Sequence, residues 1–180
     1  MNSAAVPEGA YVDIGEGLRI HYHEAGEGPV VLFIHGSGPG ASGWSNFVHN
    51  YEAFGAGGFR ALVPDMLGYG YSSKPEDRDY DFHFMVDSMA RFTKALDVHQ
   101  CYVVGNSLGG ALAVQLALTH PELVKKLVLM APGGLEERET YMQMRGIRRM
   151  LKALYAPEGI TKESMPKTKT RSAGTSQHGL

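Results

Sequence analysis

Cysteine is nearly missing: Cys101 is the single one in 180 residues. That excludes an internal disulfide and a cysteine-based metal site. Cys101 sits in an apolar run, which reads as a small buried hydrophobe rather than a catalytic thiol. Long hydrophobic runs are missing too, since none approaches the ~20 apolar residues that cross a bilayer. The N-terminal MNSAAVPEGAYVDIGEG has neither the basic nor the apolar region of a secretory signal. A cytoplasmic protein without a membrane partner is therefore expected. A net charge of −2 offers no electrostatic case for nucleic acid. Aspartate is absent after Asp97.

What is present suits one globular α/β domain. The hydrophobic share of 43% and charged share of 20% are those of a chain able to build a core. The nine methionines read as soft core filler. Tyr11–Ile14 and Leu18–Glu24 read as strands around a Gly15–Gly17 turn, the second alternating as a half-buried strand does. The continuous apolar runs after Pro29, over Phe59–Asp65, over Cys101–Asn106 and over Lys125–Pro132 predict strands covered on both faces. Trp44–Phe54, His83–Leu96 and Leu108–Thr119 read as helices between them. Alternating strands and helices predict a mostly parallel sheet with helices on both faces. The alternation ends at Pro132. Residues 1–132 are then a core, 133–165 a lid segment containing a basic helix over Tyr141–Tyr155, and 166–180 a polar, aperiodic tail expected to be disordered.

Two stretches carry chemistry. Gly105-Asn106-Ser107-Leu108-Gly109 lies between a buried strand and a helix, the context of a nucleophile elbow. Such a turn lifts the serine oxygen to a helix N-terminus, where free amides favour developing negative charge. The pentapeptide alone would equally be a small-residue turn packing a helix on a strand; the flanking elements favour the elbow. His35-Gly36-Ser37-Gly38-Pro39-Gly40 follows an earlier strand and matches the loop type that supplies a second oxyanion amide. His35 is expected to serve there as a structural hydrogen-bonding group. His21 and His23 alternate on a strand; no third metal ligand is evident, and surface-facing positions are expected for both.

Together these stretches resemble the α/β-hydrolases, and Pro64–Ser72 (PDMLGYGYS) adds a strand-exit loop of similar kind. HGSGPGASGWSNF, GNSLGGALA and APGGL narrow the resemblance to the meta-cleavage-product hydrolases, over about Val12 to Met165. The resemblance implies hydrolysis of a carbon–carbon bond in a 2-hydroxy-6-oxo-dienoate formed by aromatic ring opening, without cofactor or metal. The substrate ketonises, water or serine attacks the distant ketone, and a dienolate leaves. It implies Ser107 as nucleophile, the amides of Ser37 and Leu108 as oxyanion hole with Gly38 beside them, and Asn46 and Asn106 as hydrogen-bond partners of the dienoate end.

The resemblance also implies an acid and a histidine that follow the serine in the chain. The later carboxylates are Glu122, Glu136, Glu137, Glu139, Glu158 and Glu163, none after a seventh strand. The only later histidines are His120, expected to cap the preceding helix, and His178 in the tail. A truncated hydrolase, inactive as it stands, is the expectation. A serine esterase on the same elbow, and a non-catalytic pseudoenzyme or binding subunit, stay open as alternatives, as does a homo-oligomer. The strand ending near Pro132 would leave an apolar edge over Leu127–Met130, so poor solubility of the isolated chain is also expected.

Overall fold

The computed structural model of the chain describes residues 8–145, 147, 148 and 152. Four runs rich in apolar residues form strands: β3 (Val30–Ile34), β4 (Arg60–Pro64), β5 (Cys101–Asn106) and β6 (Val124–Met130). Ahead of them come β1 (Ala10–Asp13) and β2 (Arg19–Ala25). The six strands form one sheet in the order β1-β2-β4-β3-β5-β6. β3 is parallel to β4 and β5, and β5 to β6. β2 pairs antiparallel with both β1 and β4. Three of the five pairings are parallel, as expected, and the two made by β2 are antiparallel. No helix intervenes between β1, β2 and β3, and turns this short cannot make the crossover that parallel neighbours require.

Helices cover both faces, as expected. On one face α3 (Phe82–Ala95) and α4 (Leu108–Thr119) close the larger core, in which Met85, Met89, Phe92, Leu112 and Leu116 meet Leu32, Ile34, Leu62 and Val103. On the other face α1 (Gly43–Phe47) and α2 (Tyr51–Ala56) lay Phe47 and Tyr51 over Val31, Phe33, Ala61 and Val63. The single helix expected over Trp44–Phe54 is thus two. α1 begins with a reciprocal Ser42/Ser45 capping box and gives way at Val48, and Asn50 starts α2. Cys101 is buried, and burial pushes its thiol up to about 12, as suits a packing residue.

His21 and His23 correct the expectation: each is 4% exposed. The His21 Nδ1–H donates to Asp65 Oδ2 at 2.9 Å. Tyr11, Tyr71 and His23 pack around the His21 ring, and Tyr51 stands beside His23. Both faces of β2 are covered, so polar alternation there does not mark solvent. Among the described residues, no cluster of three or more His, Cys, Asp or Glu could hold a metal ion. No described helix is long and apolar enough to cross a membrane.

The chain divides into two compact units, Met1–Leu135 and Glu136–Leu180. The second contains α5 (Arg138–Gln143), which begins before the expected Tyr141. Most of the expected Tyr141–Tyr155 helix, and residues 166–180, lie outside the described residues.

Candidate active site

Ser107 stands at the junction of β5 and α4 with φ 53° and ψ −114°, a conformation L residues rarely hold. Its neighbours impose that geometry. The Ser107 amide donates to Met130 O at 2.9 Å, and its carbonyl accepts from Gly110 and Gly133, each at 3.0 Å. Glycine is required on both sides of the turn. A Cβ on Gly109 would lie 2.1 Å from Ile34 O, and one on Gly105 2.4 Å from Gly109 O. Removing those side chains lets α4 sit directly on β3 and β5. Ser107 is the N-cap residue of α4, yet its hydroxyl makes no cap hydrogen bond. The oxygen is left at a helix N-terminus with no hydrogen-bond partner among the described residues.

The His35 loop approaches the same point. Gly36 is buried, and a Cβ there would meet Ser107 Cβ at 3.2 Å and Asn106 O at 3.3 Å. His35 is fully buried and spans the loop: its Nδ1–H donates to Gly36 O at 2.7 Å, and its Nε2 accepts from the Met66 amide at 3.0 Å. These two bonds select the neutral ring, and burial holds its pKa below the ordinary histidine value despite the Gly36 carbonyl and Asp65. Ser37 and Gly38 follow on the exposed surface, Gly38 at φ 135°. Neither the Ser37 nor the Leu108 amide donates to an acceptor among the described residues.

Asn46 ties these parts together. One turn into α1, its Oδ1 accepts from the Gly36 amide at 3.1 Å and from Asn106 Nδ2 at 2.8 Å. The two asparagines named from the sequence are therefore in contact with each other, and Asn46 braces the loop beside the serine. α1 is in turn anchored by Asp65, whose Oδ1 accepts from the Gly43 amide at 2.7 Å and whose Oδ2 accepts from His21 and the Tyr71 amide, both at 2.9 Å. Gly36 was read only as part of the glycine-rich loop, and no role was expected for Gly133 or Asp65. An aspartate ending an apolar strand was the one available sign.

His120 is not near this point. It closes the far end of the 12-residue α4, its amide donating to Leu116 O at 2.8 Å. At 1.5 Å per residue that places it about 20 Å from Ser107. Its ring lies 3.6 Å from Glu122 and makes no cap hydrogen bond; the backbone caps instead. His178 lies outside the described residues.

A strand–glycine-turn–helix carrying a bare serine, facing a glycine-rich loop on the parallel strands of a mixed sheet, defines a class. The chain matches the family model of the alpha/beta hydrolase fold over residues 29–161 and belongs to that family. Among its relatives is the 2-hydroxymuconate semialdehyde hydrolase of Pseudomonas sp. (strain CF600), 42% identical over 121 residues, which are 67% of this chain and 42% of that protein. The 2-hydroxy-6-oxo-6-phenylhexa-2,4-dienoate hydrolase of Burkholderia cepacia is 38% identical, over 79% of this chain and 50% of that one. A solved meta-cleavage product hydrolase from Pseudomonas fluorescens IP01, complexed with acetates, superposes with a TM-score of 0.68 at 35% identity, over 72% of this chain and 47% of that one. The chain spans about half the length of the relatives it matches.

Proposed function

We propose that these residues form the nucleophile-bearing half of a hydrolase that cleaves a carbon–carbon bond in 2-hydroxy-6-oxo-dienoates. The observation that carries the reading is Ser107, held in a strained backbone with its hydroxyl uncommitted beside Gly36. In this reading Ser107 Oγ attacks, or directs water onto, the ketone carbon. The Leu108 and Ser37 amides, with Gly38 giving the backbone room, receive the negative charge on the former carbonyl oxygen. Asn46 and Asn106 hydrogen-bond the dienoate end through the polar atoms they do not spend on each other. The electron pair of the broken bond leaves on the dienolate fragment, which then takes a proton. No metal or cofactor enters the scheme. The relatives named above, hydrolases of such compounds by their names, support this substrate class.

Among the described residues the proton of Ser107 has no acceptor. His35 is committed to Gly36 and Met66, and His120 is at the wrong end of α4. Serine is a weak nucleophile without an adjacent base. The chain by itself should bind a dienoate weakly and not turn it over at the rate of a complete triad, leaving at most the ~10³–10⁴-fold acceleration that oxyanion and binding contributions supply. Titration with hexa-2,4-dienoate, followed by amide chemical shifts, tests the binding. Shifts should gather at Ser37, Gly38, Asn46, Asn106 and Leu108; shifts confined elsewhere would refute the site. Steady turnover by the chain alone, abolished in Ser107→Ala, would refute the claim that the base is missing.

A further inference from the structure

Two non-glycine residues with left-handed φ stand at the candidate site, Ser107 at 53° and Ala131 at 42°. Such a backbone is strained for any residue with a Cβ, and it persists only where the surroundings over-determine it. Here the two strained residues are tied together. Met130, the last residue of β6, pairs with Asn106 in the sheet, and its carbonyl accepts from the Ser107 amide at 2.9 Å. Three residues on, the Gly133 amide donates to the Ser107 carbonyl at 3.0 Å. Residues 130 and 133 thus grip the two peptide groups of one residue. Extended backbone advances about 3.3 Å per residue and would carry Gly133 about 10 Å past Met130. The Pro132 ring disfavours the right-handed helical region for the residue before it. A left-handed Ala131 is what turns the chain back. Pro132 then lies on the first turn of α4, where a Cβ on Gly110 would stand 2.8 Å from Pro132 Cβ. Having no N–H, Pro132 leaves the Ser107 carbonyl to Gly133.

We infer that residues 130–133 are a clamp on the serine turn, in which Gly133 is a positioning residue and the left-handed Ala131 delivers it. The Ser107 carbonyl and the Leu108 N–H are the two ends of one planar peptide. Gly110 and Ala111, in the first turn of α4, also donate to that carbonyl, at 3.0 and 3.2 Å. Among the described residues, Gly133 is its one donor from outside the helix. Its pull sets the tilt of the peptide plane, and with it the direction in which the Leu108 N–H points. Donation to the carbonyl also polarises the peptide and makes its N–H a stronger donor. With both peptide groups held, the Ser107 Cα–Cβ bond has one direction, and Oγ is confined to the rotamers about it. The hydroxyl and the oxyanion amide are therefore aligned by the same turn. What the clamp uses of Gly133 is its N–H. Gly133 is not left-handed, and a Cβ on it would stand 3.8 Å from Ser107 O, an ordinary contact.

The clamp rests on the functional reading only for the roles given to Ser107 and Leu108, and its main readout is the backbone itself. Ala131→Val puts a β-branched residue where φ is positive, which it does not tolerate. The amide shifts of Leu108 and the carbon shifts of Ser107 Cα and Cβ should move, and exchange at the Gly133 amide should speed up about tenfold or more. Hexa-2,4-dienoate should bind about tenfold more weakly, the worth of about one hydrogen bond. Ala131→Gly removes the strain and keeps the turn, so the same shifts should stay in place while the urea midpoint rises. Gly133→Ala keeps the N–H and should also leave the Leu108 shifts in place. Shifts of Ser107 and Leu108 unchanged in Ala131→Val, or moved as far in Gly133→Ala, would overturn the inference. So would undiminished dienoate affinity in an Ala131→Val chain whose Leu108 amide has moved. If the parent chain binds no dienoate, the functional reading fails and the shifts still decide the clamp. Should Ala131→Val unfold the chain, exchange in the parent decides. A Gly133 amide protected together with that of Ser107 supports the clamp, and one exchanging at the rate of an open peptide overturns it.

Discussion

Ser107 keeps its Cβ at φ 53° and ψ −114°, where a non-glycine residue stores about 1–3 kcal/mol of backbone strain. That strain belongs to the Cβ and not to the hydroxyl. Ser107→Gly should therefore be more stable than Ser107→Ala by about 1–3 kcal/mol in urea unfolding, although neither retains the hydroxyl. Equal stabilities would place the turn in an unstrained conformation. Buried histidines give a second residue-scale prediction. Burial lowers the pKa of both His35 and His23; the charge of His21 adds to the effect at His23. Unfolded, each takes up a proton near pH 6.5, while the folded chain refuses it. Stability is then complete above that pH and falls as pH drops below it, by up to about 1.4 kcal/mol per pH unit for each histidine. Urea midpoints at pH 7.5 and 5.5 read this directly, and a midpoint unchanged or higher at pH 5.5 would contradict it. The serine was legible in the sequence because glycines, an apolar strand and a helix bracket it within a few residues. His21 was misread because its partner, Asp65, is 44 positions away.

The elements around the site hold one another through few, specific contacts. Asp65 joins β4 to α1, to β2 and to the turn at Tyr71. Its side chain is 1% exposed against His21 at 5%. Asp65→Ala would leave the Gly43 and Tyr71 amides and the His21 ring N–H without their acceptor, at about 1–3 kcal/mol for each buried donor, so a loss of about 3 kcal/mol or more is expected. It should also loosen the Asn46 bridge, read as lost protection of the Gly36 amide in hydrogen exchange. A loss below 1 kcal/mol would mean that α1 is held by its packing alone. Gly109→Ala tests the seat of α4. Its Cβ would lie 2.1 Å from Ile34 O. With backbone on both sides of the contact, about 1–3 kcal/mol or more of overpacking is expected in thermal melts. Element types and order were readable from the sequence, because apolar runs and turn residues are local signals. Two features were not. The antiparallel β2–β4 pairing depends on which free edge β2 reaches after a short turn. The break between α1 and α2 falls at Val48–Asn50, inside a stretch that is apolar at helical spacing.

At the scale of the whole molecule, the described residues join an unevenly covered sheet to the turn that carries Ser107. β6 runs through both: Met130 O holds the Ser107 amide, while Val128 and Met130 stand exposed on the open face. Among the described residues β6 pairs on one side only, and an apolar edge of that kind templates pairing with other chains, so poor solubility of the isolated chain stays a prediction. Covering that edge should raise soluble yield before any activity appears. The most direct measurement is the rate at which the chain, assembled with the segment of the CF600 2-hydroxymuconate semialdehyde hydrolase that lies beyond the matched residues, consumes 2-hydroxy-6-oxohexa-2,4-dienoate, followed by the absorbance of the dienoate. The account predicts turnover by the assembled pair, none at comparable rate by either part, and its loss in Ser107→Ala. Turnover that survives Ser107→Ala, or an assembled pair that leaves the dienoate untouched, would contradict the assignment of Ser107 as the nucleophile of a carbon–carbon bond hydrolase.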